Sequence, residues 1–311
     1  MLTSRMRLAV IVAVVPARAC GGQPAPQTAR PAALSPLASA TPGLSTSPTF
    51  REPFVRWTAP FPPFTILGNV HYVGSAGLSA FLITTPRGHF LLDGGLAENG
   101  PMVAANIRAL GFDITDVRYL LNSHAHFDHS GALAWLQAHS GAQLVASAGD
   151  KPWLESGHVT YGPSAEFDTE PVRVARVIAD GESVELGGTT LTAMLLPGHT
   201  PGCTSWITST RDAAGATRKV LFHCSASVGG QTVAPESYPG MVADYRRGFD
   251  RMAAITADVL LANHAEMFGL ADKRARQLAG ERDAFVDPAA LGAFNTRLRD
   301  AFERELARQS R

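Results

Sequence analysis

The chain has 311 residues, 45% of them hydrophobic, and a formal net charge of zero from 27 Lys and Arg against 27 Asp and Glu. Without a basic stripe it offers no electrostatic footprint for nucleic acid. It also has no repeat of solenoid type.

Met1 to Ala19 have the make-up of a secretory signal. Arg5 and Arg7 give positive charge, Leu8 to Val15 form a short apolar run, and Ala17-Arg18-Ala19 is a small-x-small cleavage site. The run is too short to span a bilayer as a helix, and no other stretch is long and apolar enough, so no transmembrane helix is expected. Cys20 follows the cleavage site and is followed by Gly21-Gly22, an arrangement that resembles the lipid-modified first residue of a bacterial lipoprotein. A periplasmic or secreted protein is expected, with a lipid anchor at Cys20 and simple secretion both open. Residues 20–50, rich in Pro, Ala, Ser and Thr, read as a linker. Residues 51–311 are globular in composition, about 260 residues, enough for one domain with a full core.

Within the domain, Phe64 to Val73, Ala80 to Thr84 and Phe90 to Asp93 read as strands separated by Gly and Pro turns. Pro101 to Leu110 reads as a helix closed by Gly111. Val117 to Leu121 reads as a buried strand, Ser130 to His139 as a helix and Gln143 to Ala146 as a strand. Strands follow at Val172 to Ile178, Ser183 to Leu186, Thr189 to Leu195, Ser205 to Thr208 and Val220 to His223. Then come a helix at Asp244 to Ile255, a strand at Val259 to Ala262 and closing helices at Ala271 to Phe285 and Pro288 to Arg308. Two β-sheets covered by helices is the layered α/β arrangement this order suggests.

Between the strand at Val117 to Leu121 and the next helix lies Ser123-His124-Ala125-His126-Phe127-Asp128-His129. Only 10 histidines occur in the chain, and three of them fall here beside a carboxylate. Imidazole nitrogen and carboxylate oxygen are ligands that Zn²⁺ takes readily. On extended backbone residues i and i+2 point the same way, so His124 and His126 can grip one metal, while Asp128 and His129, where the helix begins, can face a second.

This motif resembles the His-x-His-x-Asp-His signature of the metallo-β-lactamase superfamily. The turn Leu196-Pro197-Gly198-His199-Thr200-Pro201-Gly202 resembles that family's second metal motif, and Leu260-Leu261-Ala262-Asn263-His264 its last ligand. The resemblance runs from about Trp57 to Leu270 and is closest to subclass B3, through Gly77 to Ile83, Leu92-Asp93-Gly94-Gly95 and Tyr238-Pro239-Gly240 as well. It implies the αββα sandwich of two mixed sheets flanked by helices, with metals at one edge between the sheets. It also implies two Zn²⁺ per chain, one held by His124, His126 and His199, the other by Asp128, His129 and His264.

The implied activity is zinc-dependent hydrolysis of the β-lactam amide bond of penicillins, cephalosporins and carbapenems by a zinc-bound hydroxide, giving antibiotic resistance. Asp128 orients the nucleophile, and the protein is expected to act as a monomer. Lactonases and glyoxalase II-like enzymes of the same scaffold place a metal-bridging Asp after an apolar strand, where this chain has Ser225. The alternative of a lactonase, a thioesterase or a glyoxalase II-like hydrolase is disfavoured on that ground. A zinc-binding module without turnover is disfavoured by the complete ligand set.

In the resembled subclass, serines at the positions of Ser225 and Ser227 contact the substrate carboxylate. Trp57 is either a pocket wall or a packing residue. Asp93 is either a carboxylate that orients a metal-bound histidine or a turn residue bonding its own backbone. Of the three cysteines, Cys203 and Cys224 both fall near the rim of the implied metal site, and in an oxidising compartment a disulfide between them is expected. Cys224 as a thiolate ligand, and two free thiols, are the alternatives.

Overall fold

The structure is a computed structural model, and it describes residues 43–311. The expected signal at 1–19, Cys20 and most of the linker lie outside the described residues. The packed unit begins before Arg51: Leu44 is fully buried, in a 3-10 turn at Leu44–Thr46, and Phe50 packs against Trp57 and Phe127.

The first half runs α1 (Arg51–Thr58), β1 (Phe64–Leu67), β2 (Val70–Tyr72), β3 (Phe81–Thr85), β4 (Gly88–Leu92), α2 (Gly100–Ala109) and β5 (Val117–Leu121). It continues with α3 (Phe127–Ser130), α4 (Leu133–Ser140), β6 (Gln143–Ser147), α5 (Lys151–Ser156) and β7 (Val174–Ile178). The second half runs β8 (Ser183–Leu186), β9 (Thr189–Leu195), β10 (Thr204–Arg211), β11 (Thr217–His223), α6 (Met241–Ala253), β12 (Val259–Ala262), α7 (Leu270–Leu278) and α8 (Ala290–Gln309).

Strands β1 to β7 form one seven-stranded sheet in sequential order, and the other five form a sheet ordered β12-β11-β10-β9-β8. Both are mixed. In the first sheet, β4 to β7 pair in parallel, and in the second β11 and β12 do. Parallel neighbours need a crossover, and helices supply it here. Side chains on a strand alternate between faces, and the burial follows that rule. Phe90 and Leu92 of β4 join Leu121 of β5 in the core between the sheets, where they meet Trp206, Phe222 and Leu261 of the second sheet. Leu91 and Leu120 point outward and pack with Val103 and Ile107 of α2 and Leu133 and Leu136 of α4. On the far side Leu221 and Leu260 pack with Tyr245 and Phe249 of α6 and Phe294 and Phe302 of α8. The result is the four-layer αββα sandwich.

The structure departs from the sequence reading at several element ends. The expected strand at Phe64 to Val73 is a hairpin, because Gly68 turns the chain at φ 52° and Phe64 pairs with Tyr72. The motif helix begins at Phe127 rather than Ser130. The first closing helix stops at Leu278, ahead of Gly280 at φ 102°.

Candidate metal centre

The carboxyl ends of β4, β5, β9 and β12 meet at one edge of the sandwich, where ligands gather in parallel sheets. After β5 the chain leaves the sheet through His124 to His126, the last of these with extended backbone, and then turns into α3. His126 precedes that helix, while Asp128 and His129 lie in its first turn. Phe127 faces away, into a group with Phe50 and Phe167 at ring-centroid distances of 5.2 and 4.9 Å. Its insertion into the packing fixes the turn that aims its neighbours at the site. His199 leaves β9 through Gly198, where a Cβ would lie 2.9 Å from the Tyr245 ring, so the approach requires glycine. His264 stands two residues past the end of β12 and is held by Leu78, its bridge partner, and by the N–H of Ala265 on Gly77 O at 3.0 Å.

These segments make two groups. The rings of His124, His126 and His199 stand 4.6–4.7 Å apart in all three pairs. In the second group, Asp128 Oδ2 lies 3.2 Å from His129 Nε2 and 3.4 Å from His264 Nε2, and the two Nε2 atoms are 3.2 Å apart. His124, Asp128 and His129 also have ligand atoms within 4.8 Å of one another, so the groups adjoin.

The electrostatics suit a cation. Burial, then the neighbouring imidazoles, hold His124 well below the usual histidine range, and His126 likewise. Burial takes His199 down to about 4. Neutral imidazole is the form that ligates metal. Burial works against charge on Asp128, but His129 and His264 outweigh it and hold the carboxyl well below its ordinary value. Burial likewise opposes charge on His129, and Asp128 outweighs it, raising the imidazole.

The residues fit a metal ion on geometry as well. Nε2 of His124 and of His126 are buried without a hydrogen-bond partner. Nδ1–H of His199 donates to Ser227 O at 2.7 Å, which leaves its Nε2 lone pair free. The near-equilateral triangle of Asp128, His129 and His264 has the edge that three ligands make around one ion at tetrahedral angles and a bond length of about 2.0–2.1 Å.

The other expected residues are placed as follows. Cys203 and Cys224 form a disulfide with a Cα separation of 5.8 Å, which removes both the thiolate ligand and the free thiols. Ser225 follows that bond and its Oγ is 3.3 Å from Ser227 Oγ; Ser225 is 2% exposed, while Ser227 is half-buried. Trp57 packs with Phe50 and Phe127, its ring 5.8 Å from His264, so it backs that imidazole from inside the packing. Asp93, at φ 58°, accepts the N–H of Ser123 at 2.7 Å and the Asn122 amide at 3.2 Å. It therefore holds the chain just before His124; burial pushes it up to about 6.

Sequence reasoning passed over two amides. Asn263 Nδ2 lies 3.3 Å from His129 Nε2 and 3.4 Å from His124 Nδ1, and donates to Cys224 O. Gln231 donates to His199 O at 2.8 Å. Asn263 carried a signal, a polar residue between an apolar strand and a candidate ligand. Gln231 lies in a Gly-rich loop and carried none.

A family model described as "Metallo-beta-lactamase superfamily" matches residues 77–212. Among solved structures, BJP-1, a subclass B3 metallo-β-lactamase of Bradyrhizobium japonicum, is 39% identical with a TM-score of 0.77, covering 83% of this chain and 98% of that one. Among curated relatives, the N-acyl homoserine lactonase AttM of Azorhizobium caulinodans is 30% identical over 41% of this chain and 57% of its own length. The acyl-coenzyme A thioesterase MBLAC2 of Gallus gallus is 29% identical over 47% of this chain and 56% of its own. The chain thus spans just over half the length of these curated relatives.

Proposed function

The chain belongs to the metallo-β-lactamase superfamily, and from that premise we propose that it is a di-zinc hydrolase of the β-lactam amide bond, of the subclass B3 kind. One observation carries the choice of substrate. The two ligand groups contain a single carboxylate, Asp128, and the position after β11 where a bridging Asp would be expected in a lactonase is reached by Cys224, locked in a disulfide, and Ser225. The extent of the match to a B3 enzyme, against the partial matches to a lactonase and a thioesterase, supports the same reading.

His124, His126 and His199 would hold the first zinc, and Asp128, His129 and His264 the second. Bound zinc lowers the pKa of water from about 15.7 to about 7 and polarises a carbonyl oxygen. The chain's own residues do the rest. The Ser227 carbonyl fixes the tautomer of His199. Asp128 turns Oδ2 toward His129 and His264, so that Oδ1 can accept a hydrogen bond from the attacking water and orient it. The hydroxyls of Ser225 and Ser227 form a polar pair that can receive the substrate carboxylate. Trp57 and Phe127 exclude water behind His264.

The disulfide is a cross-link that persists in oxidising compartments, and it supports export through residues 1–19 to the periplasm or beyond. No helix among the described residues is long and apolar enough to cross a membrane. The functional test is carbapenem hydrolysis with and without chelator. Loss on chelation and return with zinc is expected, and turnover that survives exhaustive chelation contradicts the proposal. The second reading, lactone or thioester hydrolysis, rests on the curated relatives.

A further inference from the structure

The first histidine group is assembled from two separate segments, the loop after β5 and the turn after β9. Both are gripped by a carboxylate from a third place. Asp150 stands just before α5 and is 1% exposed. Its Oδ2 accepts the N–H of Ala125 and the hydroxyl of Thr200, each at 2.9 Å, and its Oδ1 accepts the N–H of Gly202 at 2.8 Å. Ala125 is the residue between His124 and His126, and Thr200 follows His199. Two of these bonds therefore reach the immediate neighbours of all three histidines, the third reaches Gly202 in the His199 turn, and none reaches a residue of the second group.

The contact around this carboxylate is tight. Ser147 Oγ donates to Gly202 O at 2.7 Å. A Cβ on Gly202 would lie 2.2 Å from Ser147 Oγ and 2.4 Å from Asp150 N, and one on Gly149 would lie 2.6 Å from the Pro201 carbonyl. The β6–α5 turn and the His199 turn thus meet backbone to backbone. A buried carboxylate is costly unless its oxygens are filled by donors. Asp150 is filled only while both segments hold their present separation.

We propose that Asp150 is a positioning residue that sets the spacing of His199 against the His124 and His126 pair, and thereby the affinity of that group for its metal. The inference rests on the reading of the histidine group as a metal site. Asp150→Asn tests it. An amide cannot accept at its nitrogen, so either the Gly202 N–H or the Ala125 N–H must face another N–H. The shape of the side chain is otherwise kept.

The measurement is competition between the whole protein and a chromophoric chelator for Zn²⁺, resolving each bound equivalent. His264→Ala, which leaves the first group complete, identifies which equivalent that group holds. Asp212→Asn is the structural control, because Asp212 also takes two backbone N–H groups and an Arg218 pair, but on the β10–β11 hairpin. We expect Asp150→Asn to weaken only the first-group equivalent, by about 10–100-fold, and Asp212→Asn to leave both equivalents as in the wild type. Unchanged affinity in Asp150→Asn overturns the inference, as does equal weakening of both equivalents. A wild-type protein that binds no zinc overturns the metal-site reading and this inference together. Wild type binding two with Asp150→Asn unchanged overturns this inference alone. If Asp150→Asn does not fold, Thr200→Val removes one of the three donors. Weakening of the same single equivalent is then expected, and wild-type affinity contradicts the proposal.

Discussion

Asp128 is the only carboxylate in either ligand group, so its replacement is the most specific test at the level of single residues. Asp128→Asn keeps the volume and removes the charge that offsets His129 and His264. It should retain the fold and lose activity by more than about 100-fold, beyond the range ordinary for residues that merely support a ligand. Metal analysis alongside kinetics checks it, and near-wild-type activity would remove Asp128 from the site. The serines separate differently. Ser225 is buried and Ser227 is the more open of the pair, so Ser227→Ala should raise KM for β-lactams while the carbonyl that holds His199 stays in place. An unchanged KM across several β-lactams would exclude its hydroxyl from substrate binding. The gathering of the six ligand candidates was legible because four of them share one short segment and the others end strands. The contacts of Asp93, Asn263 and Gln231 were not, since each depends on segments that only the fold brings together.

At the level of elements, the Cys203–Cys224 disulfide joins the His199 turn to the Ser225 loop. With a sequence separation of 21, the chain-entropy model gives it about 3 kcal/mol. Reduction, or Cys203→Ala with Cys224→Ala, should lower unfolding stability by that order in denaturant titration. A change below about 0.5 kcal/mol would show that packing alone holds the two turns. Most strands were legible from apolar runs between Gly and Pro. The hairpin turn did carry a signal, the Gly68-Asn69 pair between two β-rich runs, although the whole stretch reads as one strand in the sequence. Helices α1 and α5 were missed because each is short and has only one buried side chain, Trp57 and Leu154, too little to make a periodic stripe.

The molecule as a whole was legible as two helix-covered sheets, because the order of elements leaves few layered solutions. Its pH response was not, because that response depends on burial. His223 lies on β11 against Ser205 and the Phe294 ring, and burial takes it down to about 3. A depressed histidine stabilises the fold fully above its unfolded value of about 6.5, and that contribution is lost as pH falls toward 3. His223→Gln should therefore flatten the acid limb of stability in metal-free protein, by up to about 1.4 kcal/mol per pH unit below about 6. Urea titrations at several pH values check this, and parallel limbs in the two proteins would contradict it.

One comparison separates a zinc-dependent β-lactamase from another hydrolase on the same scaffold. The same zinc-loaded preparation is given a carbapenem, an N-acyl homoserine lactone and an acyl-coenzyme A thioester, each with and without chelator. The carbapenem should be opened, chelation should stop this and zinc restore it, and the lactone and thioester should be turned over far more slowly. Rapid hydrolysis of the lactone or the thioester with the carbapenem left intact would contradict the β-lactamase reading.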